Sequence, residues 1–156
     1  IARHGTVSWP LGFNGGFNGD MTGFENARFV ARMYGEDTER VVAYVEEFSE
    51  LGRSMSLPIK TYSSGMKARL GFGVSMAINF SCYLIDEVTS VGDARFKRKC
   101  DQVFEEKMQD ANIIMISHSM GTIRKFCQSG CFLQGGRLSY YEDVEAAIEA
   151  YTRSQE

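Results

Sequence analysis

The chain has 156 residues, 44% of them apolar and 24% charged, with a formal charge of −3. That length suffices for one domain with a true core, or for part of a larger one. The acidic balance excludes a general attraction to nucleic acid, and no apolar run approaches the roughly 18–20 residues that a spanning helix needs. The opening stretch, Ile1 to Trp9, lacks the charged head, apolar middle and small-residue cleavage pattern of a secretory leader. Four cysteines, Cys82, Cys100, Cys127 and Cys131, include no Cys-x-x-Cys pair. His4 and His118 stand far from metal-like spacing, which argues against zinc and suits a reducing compartment.

Thr6–Trp9 reads as a short strand halted by Pro10. A Gly-rich loop follows, Leu11 to Asp20; no Gly-x-x-x-x-Gly-Lys spacing occurs in it, so a mobile loop with two packed phenylalanines is the reading favoured over a phosphate cradle. Thr22 caps a helix to about Tyr34, with Glu25 completing a capping box and Gly35 ending it. Phe24, Ala27, Phe29, Val30, Ala31 and Met33 give that helix a broad apolar face. Asp37 or Thr38 opens a second helix through Leu51, whose Glu39, Glu46, Glu47 and Glu50 form a wet face and which Gly52 ends. Arg53–Thr61 is a connector containing Pro58.

Ser63 or Ser64 caps a third helix to about Asn79. Gly71 and Gly73 within it suggest close approach of a backbone or ligand, or tight packing of helix on sheet. Cys82–Ile85 is a short apolar strand that runs directly into Asp86 and Glu87. An amphipathic helix covers Asp93 to about Gln109, Ile113–Ile116 is another apolar strand, and Ser117-His118-Ser119 follows its end. A short helix, Gly121–Cys127, precedes a hairpin turning on Gly135-Gly136, and Asp143 caps a last helix to about Arg153. Apolar strands alternating with helices indicate an α/β fold with a mainly parallel sheet covered on both faces. Ligands bind such sheets at the carboxyl ends of strands, where Asp86, Glu87 and His118 fall.

Each of these groups has a functional and a structural reading. A helix start at Ser63-Ser64-Gly65 offers free amides, a positive dipole end, a hydroxyl and a glycine that lets a phosphate approach; the alternative is an ordinary serine cap. A carboxylate behind a buried strand is costly unless it meets a cation, so Asp86 suits a magnesium ion held through water and Glu87 suits polarising an attacking water. Otherwise the two acids simply leave the sheet into solvent. His118 either contacts a terminal phosphate or is a structural histidine. Asp93 either caps its helix or, with Ser90, touches a second copy of the domain.

Taken together, these residues match a known pattern. Tyr62-Ser63-Ser64-Gly65-Met66 resembles the signature sequence of ATP-binding-cassette ATPases, with Ser and Met replacing Gly and Gln. Cys82–Asp86 looks like their Walker B strand, Glu87 like the catalytic glutamate, Ser90-Val91-Gly92-Asp93 like the D-loop and His118 like the switch histidine. Several longer strings bring the match nearer to one branch, the ATP-binding subunits of Gram-negative capsular-polysaccharide exporters. They are Val7–Leu11, Gly15–Gly23, Glu46–Gly52, Tyr62–Leu70 and Asp86–Phe96.

The resemblance implies a P-loop NTPase fold with an inserted helical subdomain over residues 21–64 of a single 1–156 nucleotide-binding domain. It implies ATP and Mg2+ as ligands, with Ser63, Ser64, Gly65, Asp86, Ser90 and Asp93 at the nucleotide, Asp86 on the metal through water, and Glu87 and His118 catalytic. It also implies a homodimer beneath transmembrane permease subunits at the cytoplasmic face of the inner membrane, exporting polysaccharide, with no nucleic-acid partner. The family's signature turn acts on the ATP held by the other copy.

Two departures stand out. The sequence contains no Walker A loop, Gly-x-x-x-x-Gly-Lys-Ser/Thr, which would supply the lysine and amide cradle for the phosphates. It therefore looks like the C-terminal portion of a cassette, expected to bind ATP weakly and turn over essentially none by itself. The Gly12–Asp20 loop offers Asn14 and Asn18 but no glutamine where the family couples ATP to the permease. The competing readings are a hydrolytically inactive binding module, a DNA-repair-type ATPase head, which would carry long coiled coils, and a dinucleotide oxidoreductase, which would carry Gly-x-Gly-x-x-Gly.

Overall fold

The structure, a computed structural model, describes residues 5–11, 16–86, 93–107 and 109–155. It divides into two compact units, residues 1–114 and 115–156. The expected roles of Glu87 and Ser90, and the stretch from Gly12 to Gly15, lie outside the described residues.

In the first unit, strand β1 (Val7–Pro10) pairs in parallel with β2 (Cys82–Asp86); the sheet order is β1-β2-β3, and β3 (Asn112–Ile116) begins in the first unit and ends in the second. The register shifts between Val7↔Cys82 and Pro10↔Leu84. Proline has no N–H to give the ladder. Here the buried Ser8 accepts the Leu84 N–H on its Oγ (2.9 Å), and the Leu11 N–H restores the ladder on the Leu84 carbonyl. Tyr83 and Ile85 are buried on one face, whereas β3 alternates and leaves Ile114 60% exposed. The period-two alternation of β3 is that of a strand with one face more exposed than the other.

Helix α1 (Gly23–Tyr34) begins as its sequence requires. Thr22 accepts the Glu25 N–H, Glu25 answers the Thr22 N–H (2.8 Å), and Gly35 ends the helix at φ +69°. Its buried side is Gly23, Asn26, Ala27, Val30 and Ala31. Phe29 and Met33, assigned to the apolar face, are instead 50% and 61% exposed. Helix α2 (Thr38–Ser49) starts on Asp37 and stops on Glu50, which takes the left-handed conformation at φ +54°. The stop thus precedes Gly52, which opens a 3-10 turn, Gly52–Ser56; a second turn, Ile59–Thr61, follows Pro58.

Helix α3 (Ser64–Ala77) is polar and partly exposed over its first half and buried on all sides from Leu70 onward. Gly73 supplies close approach to α2 rather than to the sheet, since a Cβ there would stand 3.3 Å from Phe48 Cδ1. Phe48 stacks between Tyr44 and Phe72 and meets the Phe96 edge at 5.4 Å. Phe96 belongs to α4 (Ala94–Lys107), so one ring joins α2, α3 and α4.

The second unit holds α5 (Met120–Phe126), the antiparallel hairpin β4 (Gly130–Gln134) and β5 (Arg137–Tyr141), and α6 (Val144–Arg153). Gly135 and Gly136 both take positive φ, +55° and +78°, the two-residue turn that matches strand twist. Asp143 caps α6, whose Tyr151 packs edge-on to Phe132. Among the described residues, no helix is long and apolar enough to cross a membrane.

Candidate functional site

Ser63 is the N-cap of α3: its Oγ accepts the Met66 N–H at 3.2 Å and its carbonyl accepts the Lys67 N–H at 3.0 Å. Ser63 and Ser64 are exposed, and among the described residues nothing hydrogen-bonds the Ser64 hydroxyl. The space over Gly65 is open, since the nearest atom to a Cβ there is Ser63 Oγ at 4.0 Å. The turn therefore presents a free hydroxyl, unpaired amides at a helix N-terminus and room above a glycine, which fits an anionic oxygen group.

Behind the turn, Tyr62 is 5% exposed and donates its hydroxyl to the Ser54 carbonyl at 2.5 Å, and burial raises its pKa. That bond anchors the entry to the serines.

Asp86 ends β2 exposed, and among the described residues nothing pairs its carboxylate. A free carboxylate suits a hard cation such as Mg2+, and no group of three His, Cys, Asp or Glu gathers among the described residues. A cation at Asp86 would take its other ligands from water and phosphate, as Mg2+ habitually does.

Asp93 realises its structural reading in full. Its Oδ1 accepts the Arg95 and Phe96 N–H groups, both at 2.9 Å, capping α4. Its Oδ2 meets Arg69 Nη2 at 3.0 Å. These bonds hold its carboxyl below the usual aspartate range, the Phe96 amide contributing most. In the second unit, His118 is exposed at the end of β3, next to Ser119, which caps α5.

Three residues bearing on the site escape a reading by motif. Arg69, six residues into the helix from Ser63, also faces Glu50 (3.7 Å) and lies over the Phe96 ring at 4.4 Å. Glu50, assigned to a wet face, also binds Lys99 at 3.0 Å and Arg95 at 3.6 Å. Lys99, the strongest of these partners, lowers the Glu50 pKa. Asn26 is the third, a 1% exposed amide inside the buried stripe of α1. A polar residue at a core position was its only signal in the sequence.

No family model matches the chain. It is 47% identical over 159 residues to the polysialic acid transport ATP-binding protein KpsT of Escherichia coli, covering 100% of this chain and 71% of KpsT. It is 48% identical over 151 residues to the capsule polysaccharide export ATP-binding protein CtrD of Neisseria meningitidis serogroup B, covering 97% of this chain and 70% of CtrD. With the ATP-binding protein BexA of Haemophilus influenzae it shares 44% over 155 residues, 99% of this chain and 71% of BexA.

Among solved structures, the ATP-binding subunit of an ABC transporter superposes with a TM-score of 0.72 at 21% identity, over 87% of this chain and 58% of that one. A dimeric ATP-binding cassette in a post-hydrolysis state, bound to ADP and Pi, gives a TM-score of 0.62 at 16% identity, over 86% and 62%. The chain thus spans less than two thirds of either solved chain, and at these identities the likeness shows the fold.

A parallel β1–β2 pair flanked by helices, with a serine–glycine turn at the head of α3 and an acid at the end of β2, has the fold of an ATP-binding-cassette domain. Identity of 44–48% along nearly the whole chain makes the assignment finer. The chain belongs to the family of capsule-polysaccharide export ATP-binding proteins.

Proposed function

We propose that this chain provides ATP-hydrolysing machinery of a transporter that exports capsular polysaccharide across the inner membrane. It works from the cytoplasmic face as a homodimer beneath transmembrane permease subunits. The observation that carries this reading is the 47% identity to KpsT across the entire chain. In this reading residues 21–64 form the inserted helical subdomain. Phe29, exposed on α1, and the partly exposed Phe24 in its first turn contact the permease.

The residues divide the work by chemistry. The turn Ser63-Ser64-Gly65 of one copy binds the terminal phosphate of ATP held by the other, through hydroxyl and backbone N–H donors. Asp86 holds Mg2+ through water; when bound, the metal neutralises charge on the phosphate oxygens. Glu87 accepts a proton from the attacking water. His118 orients that water against the phosphate, and Ser90 and Asp93 face the second copy.

The test is ATP hydrolysis by the whole polypeptide carrying residues 1–156, assembled with its permease. Glu87→Gln lowers turnover by about 100-fold or more, the scale of a lost general base, while ATP still binds. Undiminished turnover in that variant overturns the assignment, and Phe24→Asp and Phe29→Asp variants that both keep the permease overturn the contact.

A second reading, a binding module without hydrolysis, is favoured by one observation: residues 1–156 contain no Gly-x-x-x-x-Gly-Lys. Under the first reading these residues alone bind labelled ATP weakly and turn over none, yet the whole polypeptide is active. A whole polypeptide that binds ATP without hydrolysing it establishes the second.

A further inference from the structure

The guanidinium of Arg69 is the meeting point of three helices. Its side chain is only 20% exposed. One nitrogen reaches Glu50, the residue that ends α2, at 3.7 Å, and the other reaches Asp93, the residue that starts α4, at 3.0 Å. Its face covers the Phe96 ring at 4.4 Å. Neither carboxylate is free to follow a moving arginine. Asp93 spends its other oxygen on two amides of α4. Glu50 is gripped by Lys99, which also donates to the Phe48 carbonyl at 3.0 Å.

A planar fork with donors on both edges and an aromatic-stacking face can make all three contacts at once; a lysine ammonium cannot. Arg69 sits about 9 Å along the helix axis from Ser63, at 1.5 Å per residue.

We propose that Arg69 is a positioning residue that holds α3, which carries the serine–glycine turn at its head, and the start of α4 at Asp93 as one body, so that Ser63 and Asp93 meet the nucleotide in fixed register. The inference rests on the functional reading given above.

The experiment is steady-state ATP hydrolysis by the whole polypeptide assembled with its permease, comparing wild type with Arg69→Gln, Arg69→Lys, Asp93→Asn and the Arg69→Gln/Asp93→Asn double variant. Asparagine still caps a helix, so Asp93→Asn removes the charge and leaves the cap. Arg69→Gln and Arg69→Lys each lower kcat by about tenfold or more with a smaller change in KM, and the double variant loses no more than the worse single one, the mark of residues acting as a unit. A kcat that survives Arg69→Gln, or losses that multiply in the double variant, overturns the inference. If Arg69→Gln fails to assemble, Asp93→Asn decides alone, and an unchanged kcat there overturns it. A wild-type complex that turns over no ATP overturns the functional reading and this inference together. Turnover in the wild type with an unaffected Arg69→Gln overturns the inference only.

Discussion

Asn26 holds Asn18 by both ends of its side-chain amide. Its Oδ1 accepts the Asn18 N–H at 2.9 Å, and its Nδ2 donates to the Asn18 carbonyl at 3.1 Å. The same Nδ2 lies 3.3 Å from the Met21 carbonyl and 2.9 Å from that of Thr22. One buried side chain thus adds a second set of bonds to the backbone of a loop that otherwise pairs with residues 58–60.

Replacing Asn26 with alanine leaves the Asn18 N–H without its acceptor and removes one donor each from the Asn18, Met21 and Thr22 carbonyls, which keep the Met21, Ile59 and Asn26 backbone N–H groups. Leaving one buried polar group unpaired costs about 1–3 kcal/mol, so a loss of that size is expected. Urea unfolding measures it. Asn26→Asp keeps the acceptor but sets a carboxylate oxygen against three carbonyls in a buried site, and is expected to cost at least as much as alanine.

Gly23 opens α1 with no room for a side chain. A Cβ there would lie 2.7 Å from Tyr62 Oη and 2.9 Å from Met55 Sδ. Met55 can yield, but Tyr62 is fixed on the Ser54 carbonyl. Gly23→Ala is expected to destabilise by about 1–3 kcal/mol, the range for overpacking. It should also loosen the entry to Ser63, read as faster amide exchange at Ser64 and Gly65.

Burial pushes the Cys100 thiol up to about 12, so it stays protonated near neutral pH. Cys131 is exposed on β4. A thiol reagent at pH 8 is expected to modify Cys131 within minutes and Cys100 only after denaturant is added, because the thiolate is the reacting form. Mass spectrometry of the labelled peptides checks this, and early labelling of Cys100 contradicts the packing of α4.

The depressed Glu50 pKa has a signed consequence. A carboxylate with a lower pKa folded than unfolded stabilises the fold above the unfolded value and loses that contribution as pH falls through the folded one. Melting temperature should therefore drop from pH 6 to pH 3, through the ordinary carboxylate range of about 4. Glu50→Gln should start lower at pH 6 and show a shallower drop. Equal slopes in both proteins would remove Glu50 from the acid response.

The caps were legible in the sequence because they depend on neighbours within four residues. Thr22, Asp37, Ser63 and Asp143 all cap as their spacing implies. The hairpin turn at Gly135-Gly136 was legible for the same reason. Burial was harder to read: Phe29 and Ala27 are equally apolar in a helical pattern, yet only Ala27 faces the core.

The serine turn and Asp86 stood out as motifs, whereas Glu50 read as part of a wet face and Arg69 had no reading of its own. Their importance comes from partners up to 49 residues away, such as Lys99, which no local pattern encodes. Glu50 as the left-handed stop of α2 was hidden as well, because Gly52 nearby offered the easier choice.

The lead-in to Ser63 is laced to the loop ahead of α1. Lys60 N–H bonds the Gly19 carbonyl at 2.9 Å, Ile59 N–H bonds that of Met21 at 3.0 Å, and Thr22 bridges Pro58. Lys60 Nζ adds a 2.8 Å contact to Asp20. With so little slack, a tug on Gly19–Thr22 travels along two short backbone rungs and arrives three residues before Ser63.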